Sequence, residues 1–140
     1  MAEITIRKAD ELTEEVSVFT DVQFSQYAIN NGVDLNFEDF IFVAEDEDGK
    51  LAGVITGRAY YDEIHIGDLI IDKRYRGQGI GTKLVTTVEE EYRNRGFKKI
   101  TLTTFGFQAP EYYKKLGYSL EFIREDKDPK LSKYFFCKLL

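Results

Sequence analysis

Cysteine is almost absent from this chain: Cys137 stands alone among 140 residues. One thiol cannot close an internal disulfide, and with a single histidine, His65, it gives no metal-binding framework, so no metal is expected. Proline is scarce too, two residues in all, and no linker, low-complexity tract or internal repeat divides the sequence. No apolar run approaches the length that spans a membrane, and the N-terminal stretch MAEITIRKAD lacks an apolar signal core, so the cytoplasm is the expected compartment. Basic residues are in the minority, with a formal net charge of −6. A general nucleic-acid binder needs a basic face to displace counterions, so that class is excluded as a partner, as is the membrane.

What remains is a globular composition, with 43% hydrophobic residues including nine tyrosines and eleven phenylalanines. A chain of this length buries about 68–70% of its unfolded surface as one domain, here taken as residues 1–140. Residues 4–7 read as a short strand. Over 10–30, Leu12, Val16, Phe19 and Tyr27 share a helical face, ended by Asn31-Gly32. Residues 33–40 read as a loop or short second helix, and 41–45 and 51–60 as strands joined by the hairpin turn Asp46-Glu47-Asp48-Gly49. A strand over 63–71 precedes a helix over 82–95, with Leu84, Val85, Val88 and Tyr92 on one face and Gly96 as its C-cap. A strand over 98–105, a short helix over 109–116 and strands over 118–123 and 133–139 complete the chain. The fold class is α/β of the α+β kind, a mixed, mostly antiparallel central sheet flanked by helices.

The chemistry concentrates in "RYRGQGIGTKL", Arg74 to Leu84. Gly77, Gly79 and Gly81 lie between a strand and a helix, an arrangement that turns unpaired N–H groups and the positive end of the helix dipole on one point. That is a site for phosphates, with Arg74, Arg76 and the Thr82 hydroxyl as further donors. The nucleotide P-loop does not match, because Thr82-Lys83 follows Gly81, and the dinucleotide fingerprint lacks its third glycine.

Arg76-Gly77-Gln78-Gly79-Ile80-Gly81 resembles the Arg/Gln-x-x-Gly-x-Gly/Ala signature of the GNAT superfamily of N-acetyltransferases, and "TTFGFQAPEYYKKLGY" is similar to a small bacterial subfamily with a Thr-Phe-x-Phe-Gln-Ala-Pro signature. The resemblance implies a GNAT-like fold and acetyl-CoA as the acetyl donor, gripped at its pyrophosphate by Arg76 to Thr82. It implies that Leu69, Ile70 and Ile71 flank the thioester, with a backbone N–H near Ile70 or Ile71 on the carbonyl. Tyr113 is then the general acid beside the sulfur. Tyr112 contacts the cofactor while packing as a core aromatic, as Tyr118 and Phe107 do. Members carry an asparagine where this chain has Gly106, and Gln108 is expected to take over its contact with the CoA arm.

A lysine-like amine is protonated at neutral pH, so a base is needed. Glu63, thirteen residues before Arg76, is the choice implied by the resemblance, with Asp68 and His65 as alternatives. Acidic residues Asp34, Glu38, Asp39, Asp62, Glu63 and Asp68 favour a cationic acceptor as partner, a small molecule or peptide amine. The expected activity is direct N-acetylation in a ternary complex. The alternatives are a non-catalytic CoA-binding regulatory module and a nucleotide site; a homodimer is allowed.

Overall fold

The structure, a computed structural model, describes residues 2–140. It separates into two compact units, the chain up to Leu35 and Asn36–Leu140. In the first, helix α1 spans Glu14–Asn30, with Thr13 as N-cap accepting from the Val16 N–H. The helix starts later than the apolar spacing suggests because Thr13 takes up an orphan donor there. Residues 4–7 form no strand. Their alternation is real, but a four-residue strand needs a neighbour to complete its hydrogen bonds, and these residues form no ladder. No helix among the described residues is long and apolar enough to cross a membrane.

The second unit is a six-stranded sheet: β1 (Glu38–Glu45), β2 (Leu51–Tyr60), β3 (Glu63–Ile71), β4 (Lys99–Phe105), β5 (Ser119–Arg124) and β6 (Lys133–Leu139). The strand order is β1-β2-β3-β4-β6-β5, and only β3 and β4 run parallel. β1 begins three residues before the expected start, because Glu38 already pairs with Ala59 and Phe40 is buried against the sheet's core face. Helix α2 (Ile80–Tyr92) follows β3, and helix α3 (Pro110–Lys115) follows β4. α2 ends at Tyr92, ahead of the predicted stop, and Gly96 closes a further turn with φ of 89°.

α2 supplies the apolar cover of one sheet face. Leu84, Val85, Val88 and Tyr92 pack with Ile55, Ile64, Ile66, Ile100, Leu102 and Phe136 in a single cluster. Each fully buried aliphatic side chain there contributes about 1.5–3 kcal/mol of transfer free energy. Glu89 is buried on the same helix, and Lys138 reaches it at 2.8 Å while also donating to the Leu116 carbonyl. This pair fixes the C-terminal end of α2, the end away from the glycine loop, to the sheet.

β3 carries an extra residue. Thr56 faces Asp68 and Gly57 faces Ile66, which leaves Gly67 as a β-bulge. Inward-facing apolar residues therefore switch from Ile64 and Ile66 to Leu69 and Ile71. Thr56 pins the bulge, its hydroxyl accepting from the Asp68 N–H and donating to the Asp68 carboxylate, each at 3.2 Å.

Candidate active site

The parallel pairing of β3 and β4 is short, covering Glu63 with Lys99, Ile64 with Ile100, and His65 with Thr101. Beyond it β4 stays with β6 as far as Phe105, whereas β3 bends at the bulge and follows β2. The strands part like a fork. The opening is a cleft of about 530 Å³, with Gly67, Asp68, Leu69 and Ile70 along β3 and Leu102, Thr104, Gln108 and Tyr113 across from them.

A strand edge released from its neighbour presents unpaired amides. The Asp72 N–H bonds to the Ala52 carbonyl at 2.7 Å, and Ile70 sits opposite Val54. Antiparallel alternation then directs the Ile70 amide at β2 and the Leu69 and Ile71 amides away from it, toward the side β4 has left. Of the residues named from sequence, Leu69 and Ile71 thus turn their amides to that side, and Ile70 turns its own to β2. The outward carbonyl of Ile71 accepts from Arg76 Nε at 3.1 Å, which ties the glycine loop to the strand end.

A 3₁₀ turn, Lys73–Tyr75, leads into that loop. Arg74 lies in an ion pair with Asp72 at 3.0 Å and holds that carboxyl below the usual carboxylate range. Its charge is thus largely committed, and Arg76 is the cation at the loop. Gly77 and Gly79 adopt φ of 80° and 79°, which L side chains rarely tolerate, and a Cβ on Gly79 would meet nothing within 4 Å. Gly81 is needed for a different reason, since its Cβ would fall 2.8 Å from the Tyr112 hydroxyl. That hydroxyl lies 3.1 Å from Thr82 Oγ1. Gly79 is the N-cap of α2 and offers no side-chain cap, so the first-turn N–H groups of Ile80, Gly81 and Thr82 have no intrahelical partner. An anion fits that concavity, and the exposed Gln78 lies within the same turn.

On the far wall, α3 carries Tyr113 into the cleft, packed against Tyr118 and Phe136. Among the described residues its hydroxyl has no hydrogen-bond partner, and it is not sealed from solvent. Burial, and after it the neighbouring Tyr112, pushes its pKa above the ordinary phenol value. Tyr113 therefore holds its proton at neutral pH. Tyr118 is buried as expected, but Phe107 is not core: it is 60% exposed and stacks on Phe105.

Gln108 lines the cleft, with its Oε1 accepting from the Phe105 N–H at 2.8 Å and from Thr104 Oγ1 at 3.2 Å. The oxygen is spent on the end of β4, which leaves the amide NH₂ for a ligand. Gly106 has a clear steric cause. A Cβ there would lie 2.2 Å from the Pro129 carbonyl oxygen, so the turn at Pro129–Leu131 excludes any side chain.

Glu63 does not line the cleft. It sits at the fork's closed end, where Thr101 donates to it at 2.6 Å and Tyr60 at 3.2 Å. His65 joins the same cluster, and Asp68 lies inside the cleft. The acidic cluster is less open than its sequence suggests: Glu38 pairs with Arg95, Asp39 with Arg58, and Asp62 with Lys99. Thr56 and Thr101 escaped the sequence reading, because their roles depend on register. The bulge did leave a signal, the slip of the apolar positions from even to odd after Ile66.

A model of the acetyltransferase (GNAT) family matches residues 7–118. Blasticidin-S acetyltransferase from Streptomyces morookaense is 32% identical over 95 residues, 67% of this chain and 70% of the relative. An acetyltransferase from Bacillus cereus ATCC 14579 shares the fold with a TM-score of 0.79 and 31% identity, over 96% of this chain and 98% of the other. An aminoglycoside 6'-N-acetyltransferase, solved with coenzyme A, superimposes with a TM-score of 0.62 at 18% identity, over 97% of each chain.

Proposed function

The chain belongs to the GNAT family of acetyltransferases, and from that premise we propose that it transfers the acetyl group of acetyl-CoA directly to a primary amine in a ternary complex, residues 1–140 forming one such domain. One observation carries the reading. The cleft between β3 and β4 has the outward Leu69 amide on one wall and, on the other, a tyrosine hydroxyl with no partner among the described residues, while β3 itself leads on through Ile71 to an uncapped helix N-terminus. The loop residues Arg76 to Thr82, with Tyr112 beside them, would hold the pyrophosphate. The Leu69 and Ile71 amides would line the pantetheine arm and polarise the thioester carbonyl, with the Gln108 amide opposite. A donor that stabilises a developing oxyanion supplies about 2.7–4 kcal/mol of barrier lowering.

The acetyl donor supplies an activated carbonyl and a thiolate leaving group. Tyr113 would protonate that thiolate, and the Glu63 cluster forms the proton-accepting side. A regulatory module that only binds CoA is the second reading; it gives no reason for a protonated hydroxyl in the cleft that makes no hydrogen bond within the described residues. We infer an acceptor among small-molecule or peptide amines, a reading that the similarity to a blasticidin-S acetyltransferase supports. With Glu38, Asp39 and Asp62, half of the acidic cluster, paired to cations, a strongly cationic acceptor has less support than the composition alone gave it.

The test is a screen of primary amines that follows CoA release from acetyl-CoA, with thermal shifts alongside. Acetyl-CoA and CoA at 100 times their Kd should each stabilise the fold by about 2.7 kcal/mol. ATP with magnesium should give far less, since it has no arm for the cleft. Equal stabilisation by ATP would favour a nucleotide site instead, and CoA binding without transfer to any amine would favour the regulatory reading.

A further inference from the structure

The hydrogen bonds at the closed end of the fork have a direction that can be worked out. Thr101 Oγ1 lies 2.6 Å from Glu63 Oε2, and an ionised carboxylate only accepts, so Thr101 spends its one hydrogen there. His65 Nδ1 lies 2.9 Å from the same Thr101 oxygen, which has nothing left to donate. His65 must therefore donate. The neutral ring carries its hydrogen on Nδ1, and Nε2 keeps a lone pair. Tyr60 adds a second hydrogen bond to Glu63 Oε2 at 3.2 Å, fixing the carboxylate that fixes the threonine.

The position of this array matters as much as its direction. His65 and Thr101 are the last paired residues before the strands part, and Thr103, two residues on and on the same face of β4 as Thr101, lines the cleft, so the array borders the cleft without lining it. His65 is half-buried, and it is the sole histidine of the chain. We propose that His65, held by Thr101 and Glu63 in its Nδ1–H tautomer, takes the proton from the incoming amine through Nε2, with Thr101 and Glu63 as positioning residues. The proposal rests on the acetyltransferase reading above.

The protons balance. The ammonium gives one proton to Nε2, and the imidazolium later releases it to solvent. The neutral amine forms the C–N bond as the C–S bond breaks. The thiolate takes a proton from Tyr113, and the phenolate recovers it from the second N–H of the nitrogen. The charged and titratable groups around the ring are Arg58 and Tyr60 on β2, Glu63 and Asp68 on β3, Lys99 on β4, and Cys137 on β6 opposite Thr101. Arg58 and Lys99 are engaged with Asp39 and Asp62, so Glu63 is the carboxylate linked to the ring, through Thr101.

Having one histidine makes the test direct. Long-range ¹H–¹⁵N spectra of the labelled protein, taken at a pH where the ring is neutral, should show the Nδ1–H form. Thr101→Val should lose that preference, and Thr101→Ser should keep it. With the best amine from the screen, His65→Gln should lower kcat/KM about 100-fold at neutral pH and move the acid limb of the pH–rate profile up toward the amine's own ionisation, so that the deficit shrinks at high pH, leaving acetyl-CoA affinity unchanged. Thr101→Val should lower it about 10-fold, with rescue by serine. An Nε2–H ring in the wild type overturns the proposal, as does a fully active His65→Gln, which would pass the role to Asp68. A protein that shows the Nδ1–H ring, binds acetyl-CoA and acetylates no amine would instead defeat the acetyltransferase reading, and the base assignment with it.

Discussion

Gly79→Val is expected to weaken CoA binding at least 100-fold while leaving a folded protein. Two separate costs meet at this position. The first is local: φ of 79° places valine in the left-handed region, at about 1–2 kcal/mol or somewhat more for a β-branched residue. For a chain of this size that lowers Tm by roughly 3–8 °C, which a domain with α2 fully packed should survive. The second cost falls on the ligand. No atom of the described residues outside Gly79's chain neighbours lies within 4 Å of the added Cβ, so the side chain would stand in the space above the α2 N-terminus where the proposed pyrophosphate would approach the backbone. Gly49→Val separates the two effects. Gly49 has the same φ of 79° but lies in the β1–β2 turn, which meets the 3₁₀ turn before the loop through Tyr75 donating to Asp46 at 2.9 Å, and its Cβ would make only an ordinary contact with Glu45. Calorimetry with CoA and thermal melts on both variants give the answer. Gly49→Val should lose Tm and keep CoA; Gly79→Val should lose both. Normal binding by Gly79→Val, or equal loss in Gly49→Val, would remove the loop from the phosphate site.

Much of the architecture was legible because it rests on local rules. The Asp46–Gly49 turn and the extent of β3 follow from turn chemistry and alternation, and α2 from its apolar stripe. Three failures share a physical cause. Residues 4–7 alternate correctly but make no strand, β1 starts early because β2 is long enough to pair with it, and Phe107 lies outside the core its character suggested. In each case the outcome depends on packing or pairing with the rest of the fold, which the local pattern does not record. The same holds in the site. The glycine loop could be read directly, since backbone conformation is written in the glycines themselves. The choice of Leu69 over Ile70 required the bulge, the meaning of Gly106 required Pro129, and the Glu63–Thr101–His65 array required the parallel register of β3 and β4. Charge patterning misled for a related reason: composition counts carboxylates and does not show that Arg95, Arg58 and Lys99 stand beside three of them.

Tyr113→Phe should leave acetyl-CoA affinity nearly unchanged and lower kcat about 100-fold. The ring is held by apolar and aromatic contacts with Tyr112, Tyr118 and Phe136, and phenylalanine preserves them. The hydroxyl has no protein partner among the described residues, so its removal breaks no internal hydrogen bond; only a ligand could miss it. Burial raises its pKa, which keeps the proton in place at neutral pH and available to a thiolate that forms within reach. General acid catalysis contributes about 10²–10⁴-fold. The lower end applies, because a thiol with a pKa of about 8.5 departs tolerably as its anion. The variant should also respond to the leaving group. A thioester of a more acidic thiol needs less help, so the deficit relative to wild type should shrink with it, whereas a packing defect would slow every donor equally. Steady-state kinetics on the screened amine, with acetyl-CoA binding by calorimetry, separates the cases. Unchanged kcat would make Tyr113 a packing residue, and a parallel collapse of affinity would make it a binding one.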